Sequence, residues 1–371
     1  MVVLAHIIMP APPIITNFLD TAFQFLRIFT RVIKTGGWTG VDLFFVLSGF
    51  LVSGLLFKEY AKNNTLNIPR FLIRRGFKIY PAFFFFLTVT FVFDVLFAAA
   101  YKQLLSPLSG YITDAFFIHN YLGGRWSHTW SLDVEEHFYL LLPLFFIYWI
   151  RYNKLNYRNL LNTYLCLAAI GLIGRLAAHV FHPEYNFHIQ ISQTHFRLDS
   201  LFVGVLISYV QHFEPIRLNV IKENRKWILP LSLFIISLNF VFRLQNYPWI
   251  SIITLLFNPI AFGMIMINLL LANYKINTNN FIVYIGRYSY GIYLWHVFVN
   301  QYTPVILSKS GLNTDVRSNW FLYLLIYLIG GVVLGIVFTH LIETPFLKMR
   351  DKLYPSKSQQ INLQPQLVEQ A

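Results

Sequence analysis

Two ionisable side chains stand alone in apolar runs near the start of this sequence, and both are candidates for chemistry. His6 lies in the opening run MVVLAHI, and Asp42 is the single carboxylate of the stretch Trp38–Phe57. A charged group is costly in lipid, so an ionisable residue inside an apolar segment is a functional candidate by default. Imidazole accepts protons near neutral pH, which makes His6 a candidate general base. A structural histidine facing a pore is the alternative.

A second group of ionisable side chains enters the apolar stretch HTWSLDVEEHFYLLLPLFF, residues 128–146. Glu135 lies one helical turn before Tyr139, so a helix places both side chains on one face. Acidic residues are favourable at a helix N-terminus, which accounts for some of this charge. It does not account for the whole group, which also holds Asp133, Glu136 and His137.

Two later stretches carry further polar candidates. HFRLDSLFVGVLISY, residues 195–209, brings Arg197 and Asp199 to a predicted helix start, where they serve a site or simply pair with each other or with a neighbour. GRYSYGIYLWHVFVNQY, residues 286–302, places Tyr293 close to His296. Aromatic stripes usually reflect packing, but these side chains would suit sugar hydroxyls if they faced a cavity.

A cluster of basic residues separates two apolar runs in the first quarter of the chain. Such a hinge suits an anionic ligand at the membrane face, but loops rich in lysine and arginine also simply remain in the cytoplasm. The cluster consists of Lys58, Lys62, Arg70, Arg74, Arg75 and Lys78.

The composition excludes an ordinary soluble protein. The 371 residues are 56% hydrophobic and 12% charged, with a mean hydropathy of +0.53, whereas soluble domains carry about 25% charged residues. The net charge of +13 would suggest nucleic acid in a soluble protein. Because the cations here gather in short loops between apolar runs, they indicate membrane topology and contact with anionic headgroups. We therefore expect no nucleic-acid partner.

Neither a disulfide framework nor a metal site is expected. The one cysteine, Cys166, lies in an apolar segment and is expected to act as a small buried hydrophobe. His182, His188 and His195 are too loosely spaced, without a matching carboxylate pattern, to predict a ligand set.

The apolar runs predict an all-α polytopic membrane protein with about ten transmembrane helices. The first is short, since Pro10 interrupts the run that begins at Met1. The other predicted spans are 38–57, 79–100, 130–150, 159–181, 196–213, 227–243, 249–272, 281–304 and 320–341. Residues 1–353 form the predicted transmembrane domain, and the polar, aperiodic residues 354–371 a disordered cytoplasmic tail.

The loops between these spans alternate between richer and poorer in cations. The richer set includes Lys58–Lys78, Arg217–Lys226 and the segment after Lys348, so these loops and the C-terminus are expected in the cytoplasm. Arg27, Arg31 and Lys34 are the exception, since they fall on the other side by this parity. They lie in a two-faced pattern that predicts an amphipathic helix in the interface.

Several of these motifs together resemble the acyltransferase-3 family of integral-membrane acyltransferases, which includes bacterial O-antigen and exopolysaccharide O-acetyltransferases. The matching words are GVDLFFVLSGFL, RRGFKIYP, WSLDVEEHFY, RLDSLFVG, SYGIYLWH and the glutamate and proline of LIETPF. VVLAH, ending at His6, is similar to the family's first-helix pattern. The family pattern also has an arginine upstream of this histidine, at a position that falls before Met1. Either it precedes the sequence given or this member does without it.

The resemblance implies transfer of an acyl group, most often acetyl, from cytoplasmic acyl-CoA to a carbohydrate hydroxyl. It implies that His6 is catalytic, and that Glu135 orients or charge-balances it or contacts the acceptor. The donor site it implies comprises Arg70, Arg74, Arg75, Lys78 and Tyr80. The substrate-binding residues it implies are Asp42, Trp130, Ser131, Tyr139, Arg197, Asp199, Tyr293 and His296. Acyl-CoA is then a donor substrate, with no permanently bound cofactor and no metal.

Two other functions remain open at this point. A transporter or flippase for lipid-linked glycans would also use many spans, basic loops and buried polar groups, and a catalytically silent member would keep the scaffold without the reaction. The expected location is a bacterial inner membrane, with the bilayer, acyl-CoA and a carbohydrate as partners. The acceptor, the acyl chain and the oligomeric state are left open.

Overall fold

The computed structural model describes residues 29–101, 107–184, 186–242, 246–272, 281–312 and 317–355. Within those ranges every regular element is a helix. His6 and the predicted tail from residue 356 lie outside the described residues. The helices are α1 Gly40–Asn63, α2 Ile68–Tyr101, α3 Leu108–Ala115, α4 His119–Leu122, α5 Trp130–Arg151, α6 Tyr157–Phe181, α7 Phe187–Gln190, α8 Leu198–Phe213, α9 Leu218–Glu223, α10 Arg225–Val241, α11 Pro248–Leu271, α12 Phe281–Arg287, α13 Ser289–Lys309, α14 Arg317–Phe338 and α15 Thr344–Leu353.

Five predicted spans coincide with helices long and apolar enough to cross a bilayer. These are Phe29–Asn63, Ile68–Ala100, Tyr157–Phe181, Ile252–Leu271 and Asn319–Leu353. The first of them includes residues 29–34, the described end of the segment that the sequence predicts as an interfacial helix. They are helical and run on through a 3₁₀ turn, Gly37–Thr39, into α1.

The other predicted spans are helical but fall short of a bilayer-crossing helix for identifiable reasons. α5 carries three carboxylates in its first two turns, while α8 and α10 have only 16 and 17 residues, against the roughly 20 that a bilayer requires. The predicted span 281–304 is two helices, because a tight turn at Tyr288 separates α12 from α13. The count of ten spans therefore remains a prediction.

The described chain forms two compact units. The first comprises the described residues of Met1–Leu66, Pro107–Asn277 and Asn300–Leu324, and the second those of Asn67–Ser106, Thr278–Val299 and Leu325–Ala371. That residues 1–353 form one transmembrane domain remains a prediction.

The centre of the first unit is the short helix α8, which packs against α1, α6 and α11. Its crossing with α1 depends on two glycines. A β-carbon on Gly49 would lie 1.9 Å from the Leu201 carbonyl oxygen, and one on Gly204 would lie 2.1 Å from that of Val46. Small residues at such crossings allow helix backbones to approach closely in membranes. This approach places the polar residues of α1 beside those of α8.

Aromatic packing holds the second unit together. Trp295 on α13 stacks on Phe338 of α14, with ring centroids 4.3 Å apart, and meets Phe86 of α2 edge-on at 5.2 Å. Gly291 and Gly335 let α13 and α14 approach, since a β-carbon on Gly291 would lie 2.5 Å from the Gly335 carbonyl oxygen. Stacked and edge-on aromatic pairs of this kind stabilise the packing beyond what the area they bury contributes.

Candidate functional site

Glu135 lies in the first unit, at the head of a short chain of hydrogen bonds. The Tyr139 hydroxyl donates to Glu135 Oε1 at 2.8 Å and lies 2.7 Å from Ser48 Oγ on α1. Glu135 is only 4% exposed, and Tyr139 and Ser48 are buried. The prediction that Glu135 and Tyr139 share a helix face is confirmed. The arrangement can hold a carboxylate in the protein interior and connect it through two hydroxyls to a neighbouring helix.

The other polar residues at the start of α5 bind local structure. Asp133 Oδ2 accepts from the Asn120 backbone N–H at 2.8 Å, and His137 Nδ1 lies 2.6 Å from Thr194 Oγ1. Trp130 packs edge-on against Phe45 and Phe187, and Ser131 is fully buried. Asp133 and His137 thus position α4 and the turn that precedes α8, respectively. The predicted substrate contacts of Trp130 and Ser131 stay predictions.

Asp42, in the first turn of α1, forms a buried ion pair with Arg197 at the start of α8. Asn258 of α11 donates to Asp42 Oδ2 at 3.1 Å and is joined at 2.9 Å to Asn239 of α10. Both charged groups are completely buried. A buried pair needs such additional hydrogen bonds, because mutual attraction alone does not recover the cost of desolvating both ions.

Asp199 pairs with Arg175 on α6, whose Nη2 donates to Asp199 Oδ2 at 2.7 Å. Arg197 and Asp199 therefore pair with residues of other helices and not with each other. The sequence had left both possibilities open. Arg175 is completely buried and was not among the predicted residues. Its signal was available in the sequence, since it is a lone arginine in the apolar run TYLCLAAIGLIGRLAA.

Phe45 connects these two groups of polar residues. Its ring lies 5.4 Å from the Arg197 guanidinium carbon and 5.9 Å from the centroid of the Trp130 ring. Asp42, Phe45 and Ser48 follow one another at intervals of three along α1, so this helix meets Arg197 and Tyr139 on one broad face. We call Asp42, Ser48, Glu135, Tyr139 and Arg197 the inner polar cluster.

Arg197 has N–H donors that are not used by any group in the described part of the chain. Its Nε and Nη1 are buried and have no hydrogen-bond partner there. Guanidinium groups carry five N–H donors in a planar fork suited to oxygen ligands. The inner polar cluster thus combines a buried carboxylate with cationic donors.

The predicted donor-site residues lie in the second unit, at the start of α2. Arg74 Nη2 pairs with Asp351 of α15 at 3.1 Å, and Lys78 pairs with the buried Glu343. Arg70 and Arg74 also donate to the backbone carbonyls of Pro355 and Tyr354, respectively. The segment after α14 thus holds three of the five predicted residues. The two others, Arg75 and Tyr80, are half-buried and 38% exposed.

Tyr293 and His296 also lie in the second unit, on α13. His296 is fully buried, and its Nδ1 lies 2.6 Å from the Tyr293 carbonyl oxygen. A β-carbon on Gly331 of α14 would lie 3.3 Å from His296, so α14 closes tightly over this histidine. This packing fits the structural reading of the aromatic stripe, and the predicted sugar contacts stay predictions.

His6 lies outside the described residues, so its role and its relation to Glu135 remain predictions. Within the described ranges, no three side chains among histidine, cysteine, aspartate and glutamate come together as a metal site would require. The loop histidines His188 and His195 both have pKa values lowered by burial, and His188 is lowered further by the neighbouring His119.

The profile of a family described as an acyltransferase domain matches residues 1–340 of this chain. The peptidoglycan O-acetyltransferase OatA of Listeria monocytogenes is 31% identical over 295 residues, which cover 73% of this chain and 46% of the relative. The O-acetyltransferase OatA of Staphylococcus aureus is 25% identical over 303 residues, covering 72% and 47%. The chain spans about half the length of these relatives. No solved structure matches it significantly.

Proposed function

This chain belongs to the acyltransferase-3 family, and on that premise we propose that it is a membrane O-acetyltransferase. The donor in this proposal is cytoplasmic acetyl-CoA, and the acceptor is a hydroxyl of a cell-surface carbohydrate. The observation that carries the proposal is Glu135, a carboxylate kept in the protein interior and hydrogen-bonded through Tyr139 to Ser48. Burying a carboxylate costs free energy even when it is hydrogen-bonded, so a membrane helix that retains one has a use for it.

The reaction moves one acyl group and one proton. The acceptor oxygen bonds to the thioester carbonyl carbon, and its hydroxyl proton passes to a base. The carbon–sulfur bond breaks, and the sulfur leaves as a thiolate that takes this proton from the base. In this proposal His6 is the base and Glu135 orients it or balances its positive charge. Arg197, with its buried donors, is suited to contact an oxygen of the acceptor.

The donor's phosphates are assigned to the basic residues at the start of α2. Arginine binds phosphate through paired hydrogen bonds, and Lys78 supplies a further charge. Arg74 and Lys78 are paired with Asp351 and Glu343, so phosphate binding requires these cations to exchange or share their carboxylate partners.

The printed names of the relatives support one choice of acceptor class. The Listeria relative is named for peptidoglycan, so the glycan of the cell wall is the first acceptor to try, ahead of other surface carbohydrates. The protein is placed in the inner membrane of a bacterium as a bundle of about ten spans, with its C-terminus in the cytoplasm.

A labelled-donor assay with a single carboxylate change tests the proposal. Membranes that carry the protein receive acetyl-CoA labelled in the acetyl group, and alkali-labile label is measured in the carbohydrate fraction. Wild type is expected to give ester label, and Glu135→Gln to reduce the rate about 100-fold, which is a typical contribution of acid–base catalysis. Glu223→Gln, an exposed change outside the inner polar cluster, is the matched control and should retain the wild-type rate.

Each alternative has its own outcome in this assay. A transporter or a catalytically silent member gives no label from wild type, although the protein is present in the membrane. Full activity of Glu135→Gln would remove Glu135 from the mechanism while leaving the acetyltransferase in place.

A further inference from the structure

The first unit contains a second feature that the acyl-transfer reaction does not use. It is a cavity of about 240 Å³ between α6, α8, α9 and α11. Its lining is almost entirely aliphatic and includes Ile207, Val210, Ile260 and Met264. For comparison, an apolar cavity of about 150 Å³ binds benzene, so this one has room for a hydrocarbon segment.

One end of the cavity is polar and cationic. Tyr157 and Arg217 line it there, and the Arg217 guanidinium carbon lies 4.4 Å from the centroid of the Tyr157 ring. Arg217 is exposed, and its Nε donates to Glu214. Since a guanidinium has five N–H donors, the groups on its two terminal nitrogens can still bind an oxyanion.

The surrounding connections reinforce this positive charge. Residues 151–158 and 214–226, which join the helices around the cavity, hold seven lysines and arginines against two glutamates. By the alternation of loop charge, this end of the helices faces the cytoplasm, where the leaflet carries anionic lipid. A cationic mouth with a hydrocarbon lining behind it complements an amphiphile that has an anionic headgroup and an apolar chain.

The cavity is also elongated along the helices, as the binding of an acyl chain requires. Its lining runs from Tyr157 to Tyr164 along α6 and from Ile260 to Ile267 along α11, which is roughly 10 Å at 1.5 Å per residue. Gly263 lets α11 approach α8 at this level, since a β-carbon there would lie 2.9 Å from both Ile207 and Val203. The cavity thus extends from the charged end into the depth of the helix bundle.

We propose that this cavity binds one anionic glycerophospholipid, with the phosphate at Arg217 and part of an acyl chain between α8 and α11. This site is distinct from the inner polar cluster, and lipid binding there does not depend on whether the chain is an acetyltransferase. Charge complementarity favours this occupant over a neutral lipid, for which the cationic mouth offers no partner.

Native mass spectrometry of the full chain tests the site, with phosphatidylglycerol and phosphatidylcholine as probes. Wild type, extracted in mild detergent, is expected to retain one phosphatidylglycerol and to lose phosphatidylcholine. Arg217→Gln should reduce retention about 10-fold, the size expected for loss of a charge-assisted hydrogen bond. Met264→Trp, which fills the cavity, should reduce it at least as much.

Matched controls separate the cavity from the general lipid belt. Arg225→Gln removes an exposed charge from the same connection, and Ile253→Trp adds a ring to an exposed position of α11 outside the cavity. Both should retain the lipid like wild type. Equal retention of the two lipids, or unchanged retention in Arg217→Gln, would overturn the proposal, as would retention of a polyprenyl phosphate in place of phosphatidylglycerol.

A second measurement covers the case in which Met264→Trp fails to fold. Phosphatidylglycerol with a photoactivatable group on one acyl chain is crosslinked to wild-type protein, and the labelled peptides are identified. Label at Ile207, Ile260 or Met264 supports the site, while label confined to other helices contradicts it. Inorganic phosphate added at millimolar concentration should not displace the lipid, because it lacks the chain.

Discussion

At the scale of single residues, the two adjacent ion pairs of α8 are the most consequential feature. Arg197 and Asp199 are two positions apart, yet each finds its partner on a different helix, Asp42 on α1 and Arg175 on α6. Each pair is buried, so neither charge can be removed alone without leaving the other unpaired in the interior. These pairs thus fix which helices can surround α8.

This coupling can be measured by removing one charge and then both. Asp42→Asn leaves Arg197 charged and buried, so we expect it to destabilise the protein by about 3–5 kcal/mol. The double variant, with Arg197→Met as well, should recover most of that stability because no unpaired charge remains. Thermal unfolding of the purified proteins, followed by loss of the monodisperse peak, gives the comparison. Equal stability of wild type and Asp42→Asn would show that the pair contributes nothing.

The sequence identified most of these polar residues as candidates, but it did not show which residue each of them contacts. Glu135 and Tyr139 were predicted to meet because helical periodicity relates residues one turn apart. No such rule relates Asp42 to Arg197, which is far along the chain, or Lys78 to Glu343. Arg175 was missed because a lone charge in an apolar run reveals a buried group without naming its partner.

At the scale of elements, the crossing of α1 and α8 sets the geometry of the inner polar cluster. Gly49 and Gly204 face each other's backbone, with no room for a β-carbon on either. Asp42 and Ser48 lie on α1, and Arg197 immediately precedes the first residue of α8. Any change that separates the helices therefore moves the cluster apart as well as weakening the fold.

Alanine substitutions at two glycines of α1 test this crossing. Gly49→Ala places a β-carbon 1.9 Å from the Leu201 carbonyl oxygen, so we expect a loss of about 3 kcal/mol or more from overpacking. Gly54→Ala is the matched control, because its β-carbon would meet side chains and no backbone, the Ser208 hydroxyl at 3.1 Å and a His212 ring carbon at 3.6 Å, and it should fold close to wild type. Yields of folded protein from membranes and unfolding temperatures distinguish them. Similar stability of both variants would mean that the crossing can open.

Hydropathy predicts some of the membrane-spanning helices better than others. Long apolar helices were predicted correctly, because length and composition alone identify them. α5 and α8 depart from that rule, since α5 carries buried carboxylates and α8 is short. α5 carries Glu135 and Tyr139 of the inner polar cluster and Arg197 directly precedes α8, whereas Asp42 and Ser48 lie on the long helix α1. Three of the five cluster residues therefore fall where the hydropathy signal is weak.

At the scale of the whole molecule, topology decides which side receives the acetyl donor. The basic start of α2 and the segment after α14 were predicted to share one side of the membrane. Within the second unit they are in contact, through Arg74 with Asp351 and Lys78 with Glu343. This contact confirms that the two segments lie on the same side, and the loop charges predict that the side is cytoplasmic.

Reporter fusions can establish that side directly. Alkaline phosphatase, which is active only outside the cytoplasm, is expected to be inactive when fused at the C-terminus and active when fused after Glu184. Green fluorescent protein should give the reverse pattern at the two positions. Phosphatase activity at the C-terminus would place the basic segment outside and would contradict cytoplasmic acetyl-CoA as the donor.

The length of α8 has a further consequence for access. Its 16 residues span roughly 24 Å, while the hydrocarbon layer is about 30 Å thick. A helix at the centre of its unit that is shorter than the layer cannot reach both surfaces, so at least one of its ends is recessed below the surrounding helices. Arg197 precedes its first residue. Such a recess would bring water, and with it a hydrophilic sugar, part of the way into the membrane without any opening of the bundle.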